Sequence, residues 1–173
     1  IWRENTGKLC CWSAEKSVSV TRVSCGIGQI IKTTPVVFIR HGKTTGNLEK
    51  RYIGRTDEDL CETGKNELMK INYPECNNIV SSPLKRCIQS AEIIYPDKKI
   101  IIDENLRETD LGIFEGKNYS ELCKNPDYRN WIDGKSEIPN GEISENFKKR
   151  CCNAFYNVMK NAYRKTAFIV HGG

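Results

Sequence analysis

Two apolar runs that each end in histidine and glycine constrain this chain more than any other feature. Val36 to Ile39 leads into Arg40, His41 and Gly42, and Ala167 to Val170 leads into His171, Gly172 and Gly173. These are the only two histidines in the sequence. A short unbroken apolar run reads as a strand buried on both faces, the pattern of a parallel sheet. In open α/β sheets, ligands bind beyond the carboxyl ends of the strands. Two such strands side by side would bring both imidazoles to one edge, facing one site. A single strand-end histidine would read as chance. Two, each followed by glycine and one preceded by arginine, read as function.

The remaining pattern fits that sheet. A helix is expected over 63–71, a strand over 78–81, a helix from Ser82 to Pro96, a strand over 99–102 and a strand over 167–170. Ser82 and Pro83 supply N-cap and first-position signals, and Leu84, Cys87, Ile88, Ala91 and Ile94 fall on one helical face. Asn118 and Glu121 are spaced as a capping box opening a short helix over 118–124. Residues 127–139 read as irregular. The longest helix is expected over 144–164, with Phe147, Cys151, Ala154, Phe155, Val158 and Ala162 as its apolar stripe. Alternating strands and helices predict an α/β fold, a three-layer sandwich with a mainly parallel central sheet. Residues 1–34 differ in character, with a short helix over 5–15 and an alternating strand over 17–24. The break at Thr33-Thr34-Pro35 sets a boundary, dividing 1–34 from a domain over 35–173. The chain begins at Ile1 and stops just past a strand end, so a segment of a longer protein is expected, truncated at its C-terminus.

Composition narrows the partners. The net charge is +5, and its basic residues are dispersed rather than clustered, which argues against a nucleic-acid arm. Nine cysteines, an odd number, lack Cys-x-x-Cys pairs and zinc-ligand spacing. They read as reduced, mostly buried thiols of a cytoplasmic protein. No apolar run approaches a membrane span, and neither metal nor cofactor is expected.

The residues at the two strand ends fit phosphoryl transfer to nitrogen. His41 is the candidate nucleophile, and Arg40 offers a planar donor fork to phosphate. Arg86 falls in the first turn of the helix opened by Ser82, where free N–H groups attract anions. His171, if protonated, adds a cation, and Gly172 permits close approach of a ligand. A proton donor is also needed, and Glu108 and Asp110 both follow the third strand. Spacing alone does not choose between them. A nucleotide-binding P-loop ending at Gly42-Lys43-Thr44 is excluded, because its earlier glycine would fall at Val37, inside the strand.

RHGKTTGN, SSPLKRCIQSAEII, LRETDLGIFEGK and HGG, in this order, resemble the histidine phosphatase superfamily with its phosphoglycerate mutase-like fold. The resemblance covers residues 36–173. It implies that His41 is phosphorylated, and that Arg40, Arg86 and His171 form the phosphate pocket. It further implies that Asn47 and the Ile53-Gly54 backbone assist, and that Glu108 rather than Asp110 is the proton donor. RHGKTTGNLEKRYIGRTDEDL and LRETDLGIFEGKNYSEL are most similar to α-ribazole phosphatases of cobalamin biosynthesis. These act on α-ribazole 5′-phosphate or adenosylcobalamin 5′-phosphate. RVSCGIGQIIK, within residues 1–32, resembles the closing segment of the cobinamide kinase/guanylyltransferase family, implying fusion to an upstream kinase-like domain. A phosphoglycerate mutase or broad sugar-phosphate phosphatase is the alternative, although the 21 residues between Arg86 and Glu108 leave little room for the larger mutases' insertions. A non-catalytic phosphate-binding module is the third reading. One departure stands out: after Glu142 the family usually has serine, and this chain has Ile143.

Overall fold

The computed structural model describes residues 20–24, 27–30, 36–161 and 165–172. The helix expected over 5–15, the break at 33–35 and most of residues 1–32 lie outside the described residues. Six strands form one sheet: β1 (Val20–Ser24), β2 (Ile27–Ile30), β3 (Val36–Arg40), β4 (Asn78–Ser81), β5 (Ile100–Ile102) and β6 (Thr166–Val170), in the order β2-β1-β3-β6-β4-β5. β2 runs antiparallel to β1, and every other pairing is parallel.

Consecutive residues of β3, β4 and β6 go to opposite faces, both of them covered, which explains why Val36–Ile39 and Ala167–Val170 are apolar without alternation. One face carries Val37, Ile39, Ile79, Ala167 and Ile169, packed against Cys87, Ala91 and Tyr95. Cys87 and Ala91 belong to helix α3 (Lys85–Ile94). The other face buries Val36, Val80 and Phe168 against Ala154 and Phe155 of the long helix α6 (Ser144–Asn161). This is the three-layer α/β sandwich expected from the sequence. Between β3 and α3 lie α1 (Thr45–Leu48) and α2 (Glu62–Met69). Between β5 and α6 the chain builds a separate small core of Leu111, Phe114, Leu122, Tyr128 and Ile138. It includes α4 (Tyr119–Leu122), opened by the Asn118–Glu121 capping box, and α5 (Pro126–Ile132).

Two expectations need correction. Residues 127–139 were expected to be irregular, yet α5 occupies their first half. Its signals are local: Asn125 accepts from the N–H groups of Asp127 and Tyr128, Pro126 takes the first turn, and Asp127 suits the helix dipole. The helix expected from Ser82 starts at Lys85, with Leu84 as an extended N-cap that makes no side-chain cap bond. The cause is sheet pairing. The Ser82 N–H continues the ladder to the Ile169 carbonyl at 3.0 Å, so Ser82 still belongs to the strand end.

The Ile143 departure has a local consequence. Its carbonyl accepts from the N–H groups of Asn146 and Phe147, so it holds the N-cap position of α6 without a capping side chain. Glu137 reaches across instead, accepting from the N–H of Ser144 at 3.0 Å and from its hydroxyl at 2.8 Å. Ile143→Ser should therefore stabilise the fold by about 1 kcal/mol, read as a higher urea midpoint at unchanged slope. Ile143 is half exposed, so little packing is lost.

The six cysteines among the described residues are free thiols; Cys76, Cys87 and Cys151 are buried, and Cys61, Cys123 and Cys152 are half-buried. Among the described residues, no helix is long and apolar enough to cross a membrane.

Candidate active site

β3 and β6 are parallel neighbours with Arg40 opposite Val170. The N–H of His41 extends the ladder to the Val170 carbonyl at 3.0 Å. Both histidines thus leave the sheet at one edge, with ring centroids 5.2 Å apart and planes inclined by 62°. Nδ1 of His41 lies 2.7 Å from the Gly42 carbonyl. A carbonyl can only accept, so Nδ1 carries the proton and Nε2 keeps its lone pair. Burial and the nearby charge of Arg86 hold the His41 pKa at about 3, against an ordinary 6.5. The ring is a neutral base with one defined open nitrogen. Its turn is anchored too: the Gly42 N–H donates to Ser90 Oγ at 2.9 Å, and that hydroxyl donates to the Arg86 carbonyl. A Cβ on Gly42 would lie 2.8 Å from Leu68 Cδ1 and 3.2 Å from the Gly64 carbonyl oxygen, so a side chain there would push against α2.

Arg86 sits one turn earlier on α3 and is 1% exposed. Nη1 donates to the Thr56 carbonyl and Nη2 to the Gly54 carbonyl, both at 2.7 Å. Nε is buried without an acceptor. Arg40 is exposed at the end of β3. A Cβ on Gly172 would lie 3.1 Å from Arg40 Cζ and 3.3 Å from its Nε and Nη1. Glycine at 172 therefore makes room for a guanidinium.

His171 Nε2 is 2.8 Å from Ser82 Oγ, and the ring also lies against Cys87 Sγ at 3.6 Å from Nε2. Burial first, then His41 and the arginines, pushes its pKa well below 6.5. Without an anion, His171 is neutral. Ser82 is a site residue that sequence reasoning used only as a helix cap.

Glu108 and Asp110, which spacing left open, differ sharply here. Glu108 is 3% exposed, with one carboxylate oxygen accepting from the Thr109 N–H at 2.9 Å. Burial raises its pKa, opposed by that hydrogen bond and by Arg86, Arg40 and Arg150. Asp110 is half-buried and spent elsewhere: Oδ1 accepts from the Gly112 N–H at 2.9 Å, and Oδ2 lies 3.5 Å from Arg55 Nε.

The auxiliary residues are less open than expected. Oδ1 of Asn47 accepts from the Thr44 N–H at 3.1 Å in a capping box on α1. That leaves only its Nδ2 donors for an anion. The Gly54 N–H donates to both oxygens of Glu115 at 3.0 and 3.1 Å, and the Gly54 carbonyl is taken by Arg86. Ile53 packs its side chain beside Gly46. The carbonyls of Gly54 and Thr56 thus hold Arg86, while the amides of the same two residues are engaged by Glu115. Glu115 fastens this segment, accepting from the N–H and hydroxyl of Thr56 at 3.0 and 2.7 Å. Nothing in the sequence marked Glu115 beyond a carboxylate before Gly116. Among the described residues, no group of three or more His, Cys, Asp or Glu is placed to hold a metal ion.

Known proteins share this arrangement of strands and helices. The family model for the histidine phosphatase superfamily, branch 1, matches residues 36–173. Phosphoglycerate mutase-like protein 4 of Arabidopsis thaliana is 26% identical over 152 residues, covering 80% of this chain and 66% of that protein. The chain thus spans just under two thirds of that relative's length. The structure of phosphoserine phosphatase from Entamoeba histolytica with 3-phosphoglyceric acid aligns with a TM-score of 0.68 at 26% identity, covering 79% of this chain and 73% of that one. The α-ribazole phosphatase of Shigella flexneri shares the fold, with a TM-score of 0.66 at 20% identity over 78% and 71% of the two chains. On the family match, which runs from the first residue of β3 to Gly173, this protein belongs to branch 1 of the histidine phosphatase superfamily.

Proposed function

We propose that the protein is a phosphomonoesterase that works through a phosphohistidine on His41. The observation that carries this reading is the fixed tautomer of His41: Nδ1–H on the Gly42 carbonyl, Nε2 unprotonated, with Arg40 and Arg86 alongside. Nε2 attacks phosphorus and the ester P–O bond breaks. Glu108, whose buried carboxyl favours the protonated form, gives its proton to the departing alkoxide. Water then attacks the phosphorus in turn; Glu108 takes back a proton, the N–P bond breaks and phosphate leaves. One water is consumed and His41 is regenerated.

Arg40, Arg86, His171, Asn47 Nδ2 and the Gly172 backbone surround the transferring phosphoryl oxygens. A phosphate oxygen offers the acceptor that Arg86 Nε otherwise lacks, an omission costing about 1–3 kcal/mol in a buried donor. The dianion also reverses the local field. The cations that repel a proton from His171 are answered by negative charge, so His171 takes up a proton and becomes a further donor. Gly172→Ala is expected to displace the Arg40 guanidinium and raise KM for phosphate esters by about tenfold. A smaller change in kcat should accompany it in steady-state kinetics.

The substrate we propose is α-ribazole 5′-phosphate or its cobalamin counterpart. The sequence likeness around His41 and Glu108 supports this, and so does the shared fold of the Shigella enzyme. On this reading the protein is joined to an upstream cobinamide kinase-like domain and is cytoplasmic, and residues 1–34 are the closing remnant of that domain, whose β1 pairs with β3 at the edge of the 35–173 domain. The likeness to the Entamoeba phosphoserine phosphatase supports a second substrate class, phosphorylated small acids. Phosphate release from α-ribazole 5′-phosphate, phosphoserine, 3-phosphoglycerate and an aryl phosphate distinguishes them. A kcat/KM for the ribazole ester at least about tenfold above the others is expected; preference for phosphoserine or 3-phosphoglycerate would overturn the assignment.

A further inference from the structure

Glu108 lies in a loop, not on a strand or helix, and a buried acid on a loop needs something to hold it. The 3-10 turn Glu104–Leu106 leads into it. Arg150, projecting from α6, reaches under this loop and donates to three successive stretches of its backbone. Nη1 meets the carbonyls of Asn105 and Arg107, both at 2.7 Å, and Nη2 meets the carbonyl of Glu108 itself at 3.2 Å. The other edge of the same guanidinium is clamped by Glu142, with Nε and Nη2 each 2.6 Å from one carboxylate oxygen. Glu142 is itself tied to the acid loop, its N–H donating to the Asp110 carbonyl at 3.0 Å. Side-chain exposures of 17% for Arg150 and 12% for Glu142 mark a pair shielded from water rather than a surface contact.

A planar guanidinium with five donors can grip a carboxylate in a bidentate pair and still donate to three carbonyls; an ammonium has only three donors. The arrangement orients the peptide that carries Glu108, and no atom of Arg150 needs to touch substrate. We infer that Arg150, held by Glu142, is the positioning residue for the general acid Glu108, acting on leaving-group protonation rather than on phosphate binding. This rests on the reading of Glu108 as the acid.

Leaving-group dependence separates this role from a merely structural one. An alkyl ester needs its departing oxygen protonated, whereas dinitrophenolate leaves without a proton. The ratio of alkyl to dinitrophenyl phosphate turnover, measured on one protein sample, is independent of how much of that sample is folded. The alkyl probe is the fastest of α-ribazole 5′-phosphate, phosphoserine and 3-phosphoglycerate, used with the full-length protein. Glu108→Gln should lower the ratio by about a hundredfold or more. Arg150→Met should lower it by about tenfold to a hundredfold, with Arg150→Lys and Glu142→Gln in between. A reduced ratio in Glu108→Gln with an unchanged ratio in all three other variants would overturn the inference while leaving Glu108 as the acid. An unchanged ratio in Glu108→Gln would overturn the acid assignment and the inference with it.

Discussion

Replacing His41 with Ala is expected to abolish phosphatase turnover, by about 10⁴-fold or more, because the residue supplies the bond-forming atom itself. The fold should survive. His41 projects from the strand end, and the ladder bond to Val170 uses its backbone N–H, which alanine retains. The variant also carries a stability signature. The folded pKa of His41 is depressed from 6.5 to about 3, so its contribution is intact above 6.5 and lost as pH falls toward 3. The alanine variant should therefore lose less thermal stability than the native protein between neutral and acidic pH. Melting curves at both pH values read this directly. Full activity in His41→Ala would remove the nucleophile from the account, whatever the melts show.

Glu108→Gln carries the second large effect, a loss of about 10²- to 10⁴-fold on alkyl phosphates. Its pH dependence has a definite sign. Burial raises the Glu108 pKa, so the proton it must donate is retained above the ordinary carboxylate range. Alkyl phosphatase activity should fall as pH rises through that raised value, and the glutamine variant should lose this basic limb. The acid side behaves differently. His41 must be unprotonated, and with a pKa of about 3 it stays so through mildly acidic conditions. A kcat/KM profile controlled by a group near 6.5 and assigned to His41 would contradict the burial argument.

The sheet was legible because its central strands obey a simple rule. Val36 to Ile39 and Ala167 to Val170 must feed two helix layers, so they cannot alternate. The two histidines followed because the C-terminal edge of a parallel sheet is where such strands deliver their next residue. Less legible was everything that depends on contacts across the chain. Ser82 carried a valid capping signal, but the ladder bond to Ile169 kept it in the strand and turned it toward His171. Asn125-Pro126-Asp127 carried helix signals too, but over a segment too short to show periodicity. Spacing could not separate Glu108 from Asp110, because burial decides between them and burial is tertiary. Glu115 and Arg150 act through amides, a hydroxyl, carbonyls and a carboxylate brought close by folding, which no local pattern records.

The central claim concerns one covalent bond, from His41 Nε2 to phosphorus. Rapid quenching of a turnover mixture in base, followed by peptide mass mapping, tests it most directly. The account predicts one acid-labile, base-stable phosphoryl group, on the peptide containing His41 and absent from His41→Ala. Steady phosphate release with no phosphoryl group on His41 at any quench time, or with the group on another residue, would contradict it.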